Sequence, residues 1–179
     1  MTTKTELKQF QYEIQGYQED CVTNITSLFE SLRQKVNFGD ALTAHHSKNK
    51  YKFPVQDTKN IDIMMETGTG KTFTFIKTIF ELSKHFGYKK FIILIPTVPI
   101  REGTKTNLED TKDYFKSFYA NEKEKEIETF VYEGGNISAV RQFIGTSHLS
   151  VLVMTPSSFS HKDNILNRPL EKDINTPEL

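Results

Sequence analysis

The chain is short of cysteine, of net charge and of long apolar runs, and each shortage narrows what it can be. Its one cysteine, Cys21, cannot close an internal disulfide, so packing alone must hold the fold. Lysine and arginine number 23 and so do aspartate and glutamate. A nucleic-acid role therefore cannot rest on net charge, and any basic surface has to be local. No run approaches the ~18 apolar residues of a membrane helix, so no membrane partner is expected. The start Met1-Thr2-Thr3-Lys4 lacks the apolar centre of a secretory signal. A reducing cytoplasm is the simplest compartment. Hydrophobic residues make up 36% of the 179 residues and charged residues 26%. The core is therefore lean: one domain with at most a small appendage, carrying long polar segments.

What is present centres on residues 61–86. Ile61, Ile63, Met64 and Met65 form a short strand-like run that suits a buried parallel sheet. Met65-Glu66-Thr67-Gly68-Thr69-Gly70-Lys71-Thr72 follows. Phe75, Ile79, Leu82 and Phe86 then fall at helical spacing. Strand, glycine-rich loop and helix make the setting of a phosphate-binding loop. Glycine allows the backbone angles by which successive N–H groups from Gly68 to Lys71 surround phosphate oxygens, and it adds no side chain to block them. The helix N-terminus favours the same anion. Lys71 is placed to reach the outer phosphates, and the Thr72 hydroxyl to ligate a bridging Mg2+. The strict pattern has a glycine where this chain has Met65.

Elsewhere the chain alternates helical and strand patterns. Tyr17, Cys21, Ile25, Leu28 and Leu32 share one helical face after Gly16. Gln18 opens this helix; its amide carries donors and an acceptor that match an adenine edge, although on residue type alone it reads as solvated. Residues 37–60 read as a long polar loop. Adjacent His45 and His46 have no third ligand at zinc spacing. Lys48, Lys50, Tyr51, Lys52 and Phe53 mix basic and aromatic side chains, as a nucleic-acid contact or a plain surface loop would. Phe91–Ile95 is apolar on both faces, which predicts a central parallel strand. It ends at Pro96-Thr97-Val98-Pro99, so Thr97 and Arg101 stand either at the ligand crevice outside the strand ends or as a helix cap and a solvated first-turn residue. A helix over 101–118, a solvated charge run over 121–128, a strand over 129–132, a helix over 137–144 and a strand over 150–154 follow. This order predicts an α/β parallel sheet covered by helices. No strand in these residues ends in the Asp-Glu pair that holds magnesium and activates water in a phosphate-loop hydrolase.

With these motifs in view, the sequence resembles the N-terminal motor region of type III restriction enzyme Res subunits, helicase-like proteins of superfamily 2. Residues 65–72 are similar to that family's motif I. Phe91-Ile92-Ile93-Leu94-Ile95-Pro96-Thr97-Val98-Pro99-Ile100-Arg101-Glu102-Gly103 resembles motif Ia, and its Ile-Arg-Glu-Gly ending is the more diagnostic part. Gly16-Tyr17-Gln18 resembles the adenine-reading element, while Gly134-Gly135 and Thr155-Pro156 resemble weaker motifs that touch the nucleic-acid backbone.

The resemblance implies a RecA-like phosphate-loop domain, incomplete at its C-terminal end, in a DNA-dependent ATPase and translocase. That motor is coupled to an endonuclease on duplex DNA and works with a methyltransferase subunit. It implies an adenine-reading helical element over 1–36, the polar loop over 37–60, a partial first motor domain over 61–160 and a polar tail over 161–179. ATP and Mg2+ would be held by Gln18, Thr67, Gly68, Thr69, Gly70, Lys71 and Thr72, with Lys71 and Thr72 carrying the catalytic role and Thr72 the metal. DNA phosphates would meet Thr97, Arg101, Gly134, Gly135 and Thr155. Two other readings share the loop: the motor of a type I restriction subunit or another superfamily 2 helicase, and a nucleotide-binding scaffold that turns nothing over.

Overall fold

The computed structural model of the chain describes residues 13–51, 55, 60–118, 127–134 and 137–160. It divides into two compact units, Met1–Tyr88 and Lys89–Leu179.

The first unit is helical. Helix α1 (Gly16–Arg33) packs along α3 (Lys71–Phe86), and α2 (Phe38–Lys48) packs on α1. The buried face of α1 is Gln18, Val22, Ile25 and Leu28, one position round from the face that runs through Tyr17 and Cys21. Tyr17 is half exposed. The rotation matters because it carries a polar side chain, Gln18, into the packed seam. On α3 the buried set is Phe73, Thr74, Ile76, Ile79, Phe80 and Leu82, a broader band than the predicted stripe. Gly87, at φ 72°, ends the helix in the left-handed conformation that glycine adopts without a Cβ penalty.

Two expectations for this unit need correction. Residues 38–48 are helix rather than loop. Asn37 caps it, its side chain accepting from the Gly39 N–H at 2.8 Å, and Ala41 is its only buried residue; so polar a helix leaves almost no apolar period to read. The run 61–65 forms no strand, and Met64 is 93% exposed. An isolated strand leaves its N–H and C=O groups without ladder partners, and among the described residues of this unit there is no strand to supply them. Lys52, Phe53 and the tail over 161–179 lie outside the described residues, as does most of the charge run.

The second unit holds the expected parallel α/β sheet. Strands β1 (Lys90–Leu94), β2 (Glu128–Val131) and β3 (Ser150–Met154) are all parallel, in the order β1-β3-β2. Helix α4 (Val98–Phe118) joins β1 to β2, and α5 (Ser138–Gly145) joins β2 to β3. These connections run across the sheet in opposite directions, so right-handed crossovers put the two helices on opposite faces. The packing agrees. On one face Phe143 of α5 joins Phe130, Tyr132, Leu152 and Met154, with Val140 against them. Val151 and Val153 point to the other face and are fully buried, on the side left to α4 and its buried Leu108 and Phe115.

The central strand is β3, buried along its whole length. The expectation that Phe91–Ile95 is central is therefore corrected: among the described residues β1 pairs with β3 alone, and Ile92 and Leu94 stand 59% and 51% exposed. Both runs are uniformly apolar, so the number of neighbours is set by topology and not by composition. A short α6 (Ser157–Ser160) follows β3. No helix among the described residues is long and apolar enough to cross a membrane.

Candidate functional site

The residues of the predicted phosphate loop carry two left-handed turns of the backbone. Gly68 and Gly70 lie at φ 83° and 81°, in the left-handed region where a Cβ is penalised. Gly70 caps α3 and its carbonyl takes the Thr74 N–H at 3.0 Å. The N–H groups of the first turn of α3, Lys71 and Thr72 included, have no intrahelical acceptor and sit at the positive end of the helix dipole. Lys71 folds back over the loop, its Nζ donating to the carbonyls of Glu66 at 2.8 Å and Met65 at 3.1 Å. The Glu66 carbonyl also accepts from Thr69 Oγ1 at 2.6 Å. Thr67 is exposed and Thr72 half-buried at the start of α3.

Helix α1 grips this loop from the side. Gln18, 7% exposed, donates through Nε2 to the Thr69 carbonyl at 2.9 Å, while its Oε1 accepts the Gln15 N–H at 3.1 Å. One planar amide thus closes the first turn of α1 and anchors the loop. Gly70 accommodates it: a Cβ there would lie 2.4 Å from Gln18 Nε2. Tyr17 adds a second bond, its hydroxyl donating to the same Thr69 carbonyl at 3.2 Å. Sequence reasoning placed Tyr17 on a packing face and within the stretch that resembles the adenine-reading element, but gave its side chain no role and missed this contact. The signal was its place beside Gln18 at a helix start. Tyr17, Cys21, Ile63, Met64, Met65, Glu66 and Thr69 line a pocket of about 260 Å³ next to the loop. Burial raises the pKa of the Cys21 thiol, because a partly desolvated site disfavours the charged thiolate.

In the second unit, parallel strands in register bring their carboxyl ends to one rim, where α/β sheets place their ligands. Thr97 is exposed there, and its carbonyl accepts the Arg101 N–H at 3.0 Å, starting α4. Gly134 is exposed at φ 81°; Gly135 lies outside the described residues. The other two candidates turn inward. Thr155 is buried, its hydroxyl 2.8 Å from Ser157 Oγ and 3.1 Å from Ser158 Oγ. Arg101 is not the solvated first-turn residue that one reading of the sequence allowed. Its side chain is 8% exposed, and Nη2 lies 2.9 Å from Glu102 Oε1 and 3.3 Å from Glu133 Oε1. Nη1 reaches the Tyr132 carbonyl at 3.5 Å. The two glutamates are the partners that sequence spacing did not reveal.

His45 and His46 both lie against the Tyr51 ring, at 6.1 and 5.2 Å, and the Asn24 side chain donates to the Tyr51 hydroxyl at 3.2 Å. Partial burial, then Lys48 and His46, lower the His45 pKa. No cluster of three His, Cys, Asp or Glu able to hold a metal occurs among the described residues.

A family model described as "Type III restriction enzyme, res subunit" matches residues 11–176. The chain belongs to that family. It is 35% identical to the type III restriction-modification enzyme EcoP15I Res subunit of Escherichia coli over 150 residues, 74% of this chain and 15% of that protein. It is 47% identical to the EcoPI Res subunit of Escherichia phage P1 over 90 residues, 49% of this chain and 9% of that protein. It is 33% identical to the StyLTI Res subunit of Salmonella typhimurium over 109 residues, 59% and 10% of the two chains. The chain thus spans at most 15% of the length of these relatives. Within the Res family it corresponds to the helicase-like motor region, and its parallel sheet flanked by helices is that region's RecA-like fold.

Proposed function

We propose that this chain is the ATP-binding front of a DNA-dependent ATPase and translocase, coupled to type III restriction endonuclease activity on duplex DNA and partnered by a methyltransferase subunit. The observation that carries the reading is the loop itself. Two left-handed glycines turn the backbone around the start of α3, and Lys71 lies across the opening with its ammonium on two carbonyls. Those carbonyl bonds are interactions that a triphosphate would replace with stronger, charge-assisted ones.

The residues divide the work. The N–H groups from Gly68 to Thr72 and the Lys71 ammonium would hold phosphate oxygens, and the Thr72 hydroxyl would be the protein's ligand to magnesium. Gln18 keeps Thr69 in place and offers its remaining amide hydrogen towards an adenine edge. Magnesium, when bound, neutralises charge on the outer phosphates. No strand among the described residues ends in an acidic pair, and on this reading these residues by themselves bind nucleotide weakly at best and do not turn it over.

The test is phosphate release from ATP by this chain and by a full-length Res subunit carrying it, each with and without duplex DNA and a methyltransferase subunit. Turnover by the long protein only, stimulated by DNA, is the expected result. Hydrolysis by the 179 residues alone would overturn the assignment of the missing acids. No turnover by either would favour a nucleotide-binding scaffold, for which the lack of an acidic pair at the end of any described strand is the supporting observation.

A further inference from the structure

We propose that Arg101 is a positioning residue: an internal latch that fixes residues 132–134, just after β2, against the first turn of α4, so that their backbone and not the guanidinium meets nucleic-acid phosphate. The side chain leaves α4 one turn after Thr97 and crosses to the residues that follow β2. There it takes the Tyr132 carbonyl at 3.5 Å and the Glu133 carboxylate at 3.3 Å, while Glu102 chelates Nε and Nη2 at 3.1 and 2.9 Å. Its two carboxylate partners are exposed, at 52% and 66%, but the guanidinium between them is at 8%.

A buried cation has to remain paired. To contact a DNA phosphate Arg101 would give up two carboxylates and a carbonyl and leave its cover. Held where it is, it fixes Glu133, and the next residue is Gly134 at φ 81°. Gly134 is exposed, and a left-handed glycine held beside a pinned carboxylate can turn its backbone N–H to a phosphate oxygen at the strand-end rim. The arrangement also opposes simple charge reasoning. Removing the negative charge of Glu133 at a DNA-facing rim would by itself strengthen binding, whereas losing the latch weakens it.

The inference rests on the DNA reading above, and its test separates the two. Amide hydrogen exchange without DNA, and binding of a labelled mixed-sequence duplex across a salt series, are measured for the wild-type chain, Arg101→Gln, Glu133→Gln and the double variant. Both single variants are expected to speed exchange several-fold at residues 132–134, with no further increase in the double, because the two side chains act as one unit. Both are expected to weaken DNA binding several-fold with the wild-type salt slope.

Unchanged exchange at 132–134 in both single variants would overturn the latch. So would a salt slope lowered by about 0.9 in Arg101→Gln, the signature of one lost phosphate contact, together with tighter binding by Glu133→Gln. If the wild-type chain binds no duplex while exchange responds as expected, the latch stands and the DNA reading falls. Exchange raised along 152–154 as well would mark general unfolding. In that case Arg101→Lys, which retains stem and charge, replaces the glutamine variant under the same criteria.

Discussion

The phosphate loop and the strand-end rim were both flagged by short motifs, yet they use their residues in opposite ways. At the loop the decisive atoms are backbone atoms. Gly68 and Gly70 adopt the left-handed angles that their sequence position demands, and side chains from α1 support them. At the rim two of the three flagged side chains are held within the fold, Arg101 by two glutamates and a carbonyl and Thr155 by two serines, while Thr97 is exposed. A glycine's contribution is local and can be read from the chain. The destination of an arginine depends on which elements tertiary packing brings within its reach.

The largest effect that tests this contrast is expected at the loop. Lys71→Ala removes a charge-assisted contact to phosphate while leaving an exposed helix start that alanine suits well. Nucleotide affinity should fall roughly 100-fold, with an unchanged thermal unfolding midpoint. Calorimetric titration with an ATP analogue checks the first and a melting curve the second. In the full-length subunit, nucleotide-dependent activity should be lost, and normal hydrolysis by that variant would refute the loop's assignment.

The two loop glycines sharpen the comparison from within. Gly68→Ala meets only the backbone penalty, since nothing lies within 4 Å of its added Cβ, and it should cost about 1–2 kcal/mol. Gly70→Ala meets the same penalty and also drives a Cβ to 2.4 Å from Gln18 Nε2. It should cost more, because the buried amide must leave the Thr69 carbonyl. In a Gln18→Ala background that excess should vanish. Denaturant unfolding of the four variants measures this coupling, and equal costs in both backgrounds would show that Gln18 does not constrain Gly70.

How far the sequence was legible follows the same division. The alternation of elements after Lys89 and the setting of the glycine loop were visible because apolar runs and glycine spacing are local signals. Three features were not. Helix α2 buries only Ala41, so it carries almost no period. The run at Ile61–Met65 has strand composition, but composition cannot supply a ladder partner. The edge position of β1 depends on β3 inserting between β1 and β2, a choice of topology to which two equally apolar runs are blind. At the site, Gln18 was readable as a motif but not as a loop anchor, because its partner Thr69 is 51 residues away.

A middle-sized effect probes the rim. Arg101→Met keeps much of the packed stem and removes the charge. Because both glutamate partners are more than half exposed, solvent screens the ion pairs, and the loss should be about 1–2 kcal/mol rather than that of a fully buried pair. A phosphate-facing arginine on an open surface would give a change within about 0.5 kcal/mol. Chemical denaturation separates the two outcomes.

The smallest effects come from a pair of threonines that the sequence treated alike. Thr155→Val keeps the shape of a buried side chain and deletes the hydroxyl that lies 2.8 and 3.1 Å from Ser157 and Ser158. It should cost about 1 kcal/mol of stability. Thr97 is exposed, and its carbonyl, which any residue would provide, is what starts α4. Thr97→Ala should therefore leave stability within about 0.5 kcal/mol and register only in DNA affinity, if its hydroxyl meets a phosphate. Loss of DNA binding by Thr155→Val at unchanged stability would reverse the assignment, because it would mean that the buried hydroxyl turns outward when nucleic acid arrives. A stability loss confined to Thr155, with a binding loss confined to Thr97, would show that at this rim the exposed threonine meets DNA while the buried one holds the turn into α6.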